Sequence, residues 1–137
     1  MGRWWGSLLL PGDPQLEIVS SLEPRVGEKV IRKNLYSAFR RTGLADTLRS
    51  DSVRGVVVSG VMTHLCCETT ARDAFMEDFD VTCAVDAMAS SSEELHLAAL
   101  KTLSNGFAVP ALTAAIVGAL KDRRGGDAEP GEGGLYP

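Results

Sequence analysis

Apolar positions along the chain change period from segment to segment. Val53-Arg54-Gly55-Val56-Val57-Val58-Ser59 is a short, nearly continuous apolar run, the pattern of a strand buried in a parallel sheet. A helical pattern of about 13 residues follows Cys66, with Ala71, Ala74 and Phe75 spaced for burial. Asp80 to Asp86 predicts the next strand. Ser91-Ser92-Glu93-Glu94 reads as a capping box, with Ser91 at the N-cap and Glu94 at N3. The helix it opens is expected to reach Ser104, to bury Leu97, Leu100 and Leu103, and to end at Asn105-Gly106. Phe107-Ala108-Val109-Pro110 predicts an edge strand or extended segment, because Pro110 cannot donate to a central ladder. A last helix is expected over Leu112 to Leu120.

Upstream, Glu28 to Arg32 reads as a strand ending at Lys33, and Tyr36 to Phe39 as loop. Thr42 is the expected N-cap of a helix through Ser50, with Leu44 and Leu48 on one face. Leu16-Glu17-Ile18-Val19 is compatible with a short extended piece. Strand and helix alternate, which predicts an α/β fold around a parallel sheet. The length of 137 residues suits one domain, and 45% hydrophobic content supports a core. The expected division is a loop segment over 1–28, the α/β domain over 29–120, and a disordered tail over 121–137, rich in glycine and charge.

A net charge of −4 argues against a nucleic-acid groove, which needs clustered Lys and Arg. No apolar run approaches the length of a membrane span. The apolar start, Met1 to Pro11, is short and lacks a small-residue cleavage site, so it is not read as a signal peptide. Three cysteines without Cys-x-x-Cys spacing suggest no disulfide framework, and the cytoplasm is the simplest compartment.

The composition leaves Cys66 as the outstanding chemical feature. It falls where a strand turns into a helix, the place where open α/β sheets build their sites. A helix N-terminus favours a thiolate through its free N–H groups and dipole. The competing reading is a buried structural cysteine. Lys33, at the end of an expected strand, could reach the same crevice and stabilise a thiolate or an oxyanion. The competing reading there is a solvated surface lysine.

The stretch Gly60-Val61-Met62-Thr63-His64-Leu65-Cys66-Cys67-Glu68-Thr69-Thr70-Ala71-Arg72-Asp73-Ala74-Phe75 resembles the signature of the isochorismatase-like cysteine hydrolases, which include nicotinamidases and other small amidases. Lys33-Asn34-Leu35-Tyr36-Ser37-Ala38-Phe39 is similar to that family's Lys-x-x-Tyr-Ser-Ala-Phe element. Val81-Thr82-Cys83-Ala84-Val85-Asp86-Ala87 is similar to its next strand and Asp-Ala. Order and spacing agree, and the resemblance covers roughly residues 5–120. It implies a three-layer, Rossmann-like α/β/α fold with a parallel sheet.

The resemblance also implies roles. Thr63-x-x-Cys66 makes Cys66 the nucleophile, leaves Cys67 and Cys83 in the core, and makes Lys33 the catalytic lysine. It implies a cis peptide at Val61–Met62 and an oxyanion hole from the amides of Met62 and Cys66. Tyr36 and Phe39 would line the pocket, with loop packing an equal alternative. His64 would contact substrate or support the turn, and His96 would lie at the surface. Arg72 and Asp73 read as a structural or exposed ion pair, and Asp86 as structural. Nicotinamidases carry an upstream metal cluster with an Asp-x-His element. Two histidines without that element imply no metal here, and no cofactor is expected.

One family feature has no counterpart. The family's triad is Asp, Lys and Cys, and its Asp ends a first strand well before the lysine. Only 32 residues precede Lys33, and their sole Asp is Asp13, in the turn Gly12-Asp13-Pro14. Asp46 and Asp51 lie after the lysine. The expectation is therefore a domain truncated at its N-terminus, lacking the family's first strands and the acid that handles protons. Val56, Val57 and Val58 would then lie beside an unpaired apolar edge. A homo-oligomer is the expected way to cover it.

The implied activity is hydrolysis of a small amide, carbamoyl or ureido compound through a thioester at Cys66. These 137 residues are expected to be inactive or nearly so. The alternative is a catalytically dead α/β module serving oligomerisation. Vinyl-ether hydrolysis of the isochorismatase type is less favoured, because it does not require a cysteine nucleophile.

Overall fold

The computed structural model describes residue 10 and residues 12–125. These fall into two compact units, divided between Val30 and Ile31. The first holds two short 3₁₀ turns, Pro14–Leu16 and Ser20–Leu22. Asp13 caps the earlier one, accepting from the Gln15 N–H at 2.9 Å, with Pro14 pre-set for the first turn position. The extended piece expected over 16–19 is thus interrupted: Leu16 closes a turn, while Glu17 and Val19 are extended.

The second unit is a parallel α/β arrangement. Its elements are α1 (Leu44–Ser50), β1 (Gly55–Val61), a π-helical turn (Thr63–Cys67), α2 (Glu68–Met76), β2 (Asp80–Ala89), α3 (Glu93–Ser104), β3 (Val109–Ala111) and α4 (Thr113–Gly125). The strands pair in parallel in the order β1-β2-β3. Parallel neighbours need a crossover, and α2 and α3 supply the two crossovers. The fold is the α/β arrangement around a parallel sheet that the alternating periods predict, built here on three strands. No helix among the described residues is long and apolar enough to cross a membrane.

The core lies between α2, α3 and the sheet. Ala71 and Ala74 are fully buried, so α2 presents small side chains inward and can approach the strands closely. Val58, Phe79, Val81, Cys83, Met88 and Leu103 complete the cluster. β1 pairs with β2 from Gly55↔Asp80 to Val58↔Cys83, then shifts register before Gly60↔Met88. Gly60 sits at that irregularity with φ +112°, a conformation L side chains rarely adopt.

Several expectations are corrected. Residues 28–32 form no strand, and Val30 and Ile31 are exposed. A strand needs a neighbour for its backbone groups, and apolar residues alone do not supply one. β1 runs Gly55–Val61 rather than 53–59, and only Val58 in it is buried, because β1 is an edge strand among the described residues. Val57 is half exposed. The helix after Cys66 begins at Glu68, since the π-helical turn occupies 63–67. Phe75 is exposed and stacks edge-on against Phe107, with ring centroids 5.5 Å apart.

β2 extends three residues past Asp86, to Ala89. The cap of α3 is Ser92, whose Oγ accepts from the Leu95 N–H at 3.3 Å, so the box is shifted by one residue from Ser91. Leu97 is exposed, while Leu103 is fully buried. α1 begins after Gly43, whose φ of +72° fits glycine, and the Thr42 hydroxyl accepts from the Leu44 N–H at 3.3 Å. The last helix continues to Gly125, beyond the predicted end at Leu120, and the rest of the expected tail lies outside the described residues.

Candidate active site

The end of β1 determines where Cys66 sits. After Gly60 the Val61–Met62 peptide is cis, and the chain winds into the π-helical turn. The N–H groups of Leu65 and Cys67 both donate to the Met62 carbonyl, at 3.1 and 3.2 Å. Cys66 is half-buried in this turn. Cys67 is buried, with its Sγ 3.7 Å from the Ser59 carbonyl. Burial pushes the Cys67 thiol up to about 11; Cys66 adds to the rise and Lys33 opposes it. Cys83 is buried in β2, and burial followed by its neighbour Cys67 pushes it up to about 11 as well. Both are protonated core thiols at neutral pH.

Lys33 comes from a loop, not from a strand end. Its Nζ lies 3.3 Å from Cys66 Sγ and donates to the Leu35 carbonyl at 3.1 Å. The loop that carries it is tied to α2 at several points. The Ala38 N–H donates to Thr70 Oγ1 at 3.0 Å. Arg40 forms a two-pronged pair with Asp73, at 2.8 and 2.9 Å. The hydrogen bond from Arg40 holds the Asp73 carboxyl below its ordinary value against partial burial, and the Ser37 hydroxyl assists. Ser37 is itself buried, and its Oγ also accepts from the Phe39 N–H at 3.0 Å. The Phe39 ring packs against Phe79, with centroids 5.8 Å apart.

A cavity of about 400 Å³ opens along β1 in front of Cys66. Lys33, Ala38, Phe39, Val57, Ser59, Val61, Cys66 and Thr70 are among its lining residues, which include no carboxylate among the described residues. Phe39 is therefore at the cavity, whereas Tyr36, half-buried, and His64 are not in its lining. His64 turns instead to Ser90, with Nδ1 2.9 Å from Ser90 Oγ. His96, expected at the surface, is half-buried, and its Nδ1 lies 2.8 Å from the hydroxyl of fully buried Thr63.

Arg72 and Asp73 do not pair with each other. Arg72 binds Glu68 at 2.7 Å and lies over the Phe107 ring at 4.2 Å, while Asp73 binds Arg40. Asp86 accepts from the N–H and hydroxyl of Thr113, both at 2.7 Å, which caps α4 and holds its carboxyl below the ordinary value. Among the described residues, no three His, Cys, Asp or Glu side chains converge as a metal site would require.

The roles of Thr70 and Ser37, and the partners of Asp73 and Thr63, are not readable from the sequence. Thr70 and Asp73 lie four and seven positions beyond Cys66, a helical spacing that could have signalled a common face. The Thr63–His96 contact joins residues 33 positions apart and carries no local signal.

The chain as a whole is similar to known proteins. Residues 2–115 match the family model described as the isochorismatase domain. The chain is 44% identical over 111 residues to Nicotinamidase 3 of Arabidopsis thaliana, an alignment covering 79% of this chain and 56% of that protein. It is 37% identical over 97 residues to enterobactin synthase component B of Escherichia coli, covering 71% of this chain and 34% of that protein. The crystal structure of a cysteine hydrolase from Pseudomonas syringae superposes with a TM-score of 0.79 at 28% identity, covering 82% of this chain and 58% of that one. The chain thus spans little more than half the length of such relatives at most. With more than half of its residues matching the family model, the chain belongs to the isochorismatase-like hydrolase family.

Proposed function

We propose that this chain carries the nucleophile and the cationic partner of a cysteine hydrolase acting on a small amide or carbamoyl compound. The observation that carries the reading is the 3.3 Å approach of Lys33 Nζ to Cys66 Sγ, inside a cavity of about 400 Å³. An ammonium at that distance stabilises a thiolate and, later, a developing oxyanion. The names of Nicotinamidase 3 and of the cysteine hydrolase support the same class of chemistry.

In this reading the Cys66 thiolate attacks the carbonyl carbon, and the oxyanion is held by the amides of Met62 and Cys66. Collapse breaks the C–N bond and expels the amine, which takes up a proton from water, and leaves a thioester at Cys66. Water then adds to the thioester, the acid departs and the thiolate is restored. Among the described residues the lining includes no carboxylate, so in this reading the protons pass through water. Substrate is a small molecule, by the size of the cavity.

Among the described residues β1 has an unpaired edge and the cavity lining no carboxylate, which supports a second reading: an inactive α/β module whose edge is covered by another copy of the chain. Alkylation tests the first reading. Iodoacetamide should label Cys66 faster than free cysteine at neutral pH, and Lys33→Ala should slow that labelling by about tenfold. Tandem mass spectrometry distinguishes Cys66 from Cys67. If Cys66 reacts no faster than free cysteine and ignores Lys33→Ala, the nucleophile assignment fails.

A further inference from the structure

Thr63 and His64, the first two residues of the Cys66 turn, are each held by a residue beyond the end of β2. Thr63 is fully buried, and its Oγ1 lies 2.8 Å from His96 Nδ1 on α3. His64 Nδ1 lies 2.9 Å from Ser90 Oγ, which also accepts from the His64 N–H at 3.4 Å. Both anchors come from one segment, residues 90–96, which leads from β2 into α3. Neither Thr63 nor His64 is among the residues lining the cavity.

A hydroxyl excluded from water is costly unless it is hydrogen-bonded. Valine has nearly the same shape as threonine, so packing alone would be served without a hydroxyl to satisfy. At this position the fold instead commits a histidine from a second element to a buried hydroxyl. What the bond accomplishes follows from its place. Thr63 is three residues before Cys66 in a turn of five residues, so movement at Thr63 is passed directly to the sulfur. The Lys33–Cys66 contact at 3.3 Å leaves little room for such movement.

We infer that His96 is a positioning residue: through the Thr63 hydroxyl it fixes the turn that aims Cys66 at Lys33, and Ser90 holds His64 to the same end. The inference rests on the Cys66–Lys33 reading above. Small displacements of a reacting group are costly, with about 1 Å capable of lowering a rate by about a hundredfold. Loss of the clamp should therefore uncouple the cysteine from the lysine without touching either.

The test is a double-mutant comparison on the full chain, read as the rate of iodoacetamide labelling at Cys66. Lys33→Ala should slow labelling about tenfold in the native background, but by less than about twofold in a Thr63→Val background. Thr63→Ser keeps the hydroxyl and should restore the Lys33 dependence. His96→Asn offers a polar atom near the Nδ1 position and should retain it, whereas His96→Leu should lose it. A thermal melt of each variant separates this effect from unfolding. Should Thr63→Val fail to fold, the His96→Leu and His96→Asn pair carries the same comparison. A Lys33→Ala effect that is equally large with and without the Thr63 hydroxyl would overturn the clamp and leave the Cys66–Lys33 reading intact. No Lys33→Ala effect in the native background would instead remove the Cys66–Lys33 reading, and the clamp with it.

Discussion

Thr70→Val tests how the loop bearing Lys33 is held over the cysteine. Thr70 Oγ1 accepts the Ala38 N–H at 3.0 Å, and both residues are half-buried. Valine preserves the volume and removes the acceptor. A net hydrogen bond contributes about 1 kcal/mol, and a donor left without a partner raises the loss to about 1–3 kcal/mol. Half-burial lets water reach part of the site, so a loss of about 1 kcal/mol is expected. For a chain of 137 residues that lowers the melting temperature by about 4 °C. Urea denaturation gives the free energy, provided the slope with denaturant is unchanged.

Ala38 is five residues from Lys33 on the same loop, so freeing it should slow Cys66 labelling several-fold while leaving Cys67 labelling as slow as before. Thr70→Ser retains the hydroxyl and should behave like the native chain in both assays. If Thr70→Val melts at the native temperature and labels at the native rate, the loop is positioned by other contacts and the reasoning is wrong.

Other expectations concern the core, the acid limb and the thiols. Leu103→Ala removes a fully buried side chain from between α3 and the sheet and should cost about 2–5 kcal/mol in urea denaturation; a loss under about 1 kcal/mol would place the core elsewhere. Arg40 holds the Asp73 carboxyl below its ordinary value. Its contribution is therefore present above the unfolded carboxylate pKa and lost as pH falls through the lower folded value. Asp73→Asn should be less stable than the native chain at neutral pH, with the gap closing below about pH 4. A gap that widens on acidification would contradict the pair's sign. Cys67 and Cys83, pushed up to about 11, should label more slowly than free cysteine at neutral pH and at ordinary rates once the chain is unfolded in urea. Fast labelling of Cys67 in the folded chain would remove its core assignment.

Local pattern was enough to anticipate the βαβ order, because each element has its own period and its own punctuation. The Val56–Val58 run, the Ala71/Ala74 spacing and Asn105-Gly106 at the end of α3 act over a few residues, and these features reappear in the fold. The strand-to-helix location of Cys66 was legible for the same reason, although the π-helical turn that carries it was not. Burial was legible only in part. Phe75 and Leu97 have the right spacing for a buried face but are exposed, whereas Ala74 and Leu103 on the same helices are buried. The apolar residues 28–32 illustrate the limit: strand formation depends on a pairing partner remote in sequence, and none is present among the described residues.

Cys66 and Lys33 were legible as candidates, but how they and their supports meet was decided by tertiary structure. Lys33 meets Cys66 across 33 residues because Thr70, Asp73 and Ser37 fasten its loop to α2, not because a strand delivers it. His96 meets Thr63 across another 33 because α3 packs on the cysteine turn. Periodicity reports which face of an element is apolar; which side chains converge depends on how those faces stack, and that information is not local to any stretch of the chain.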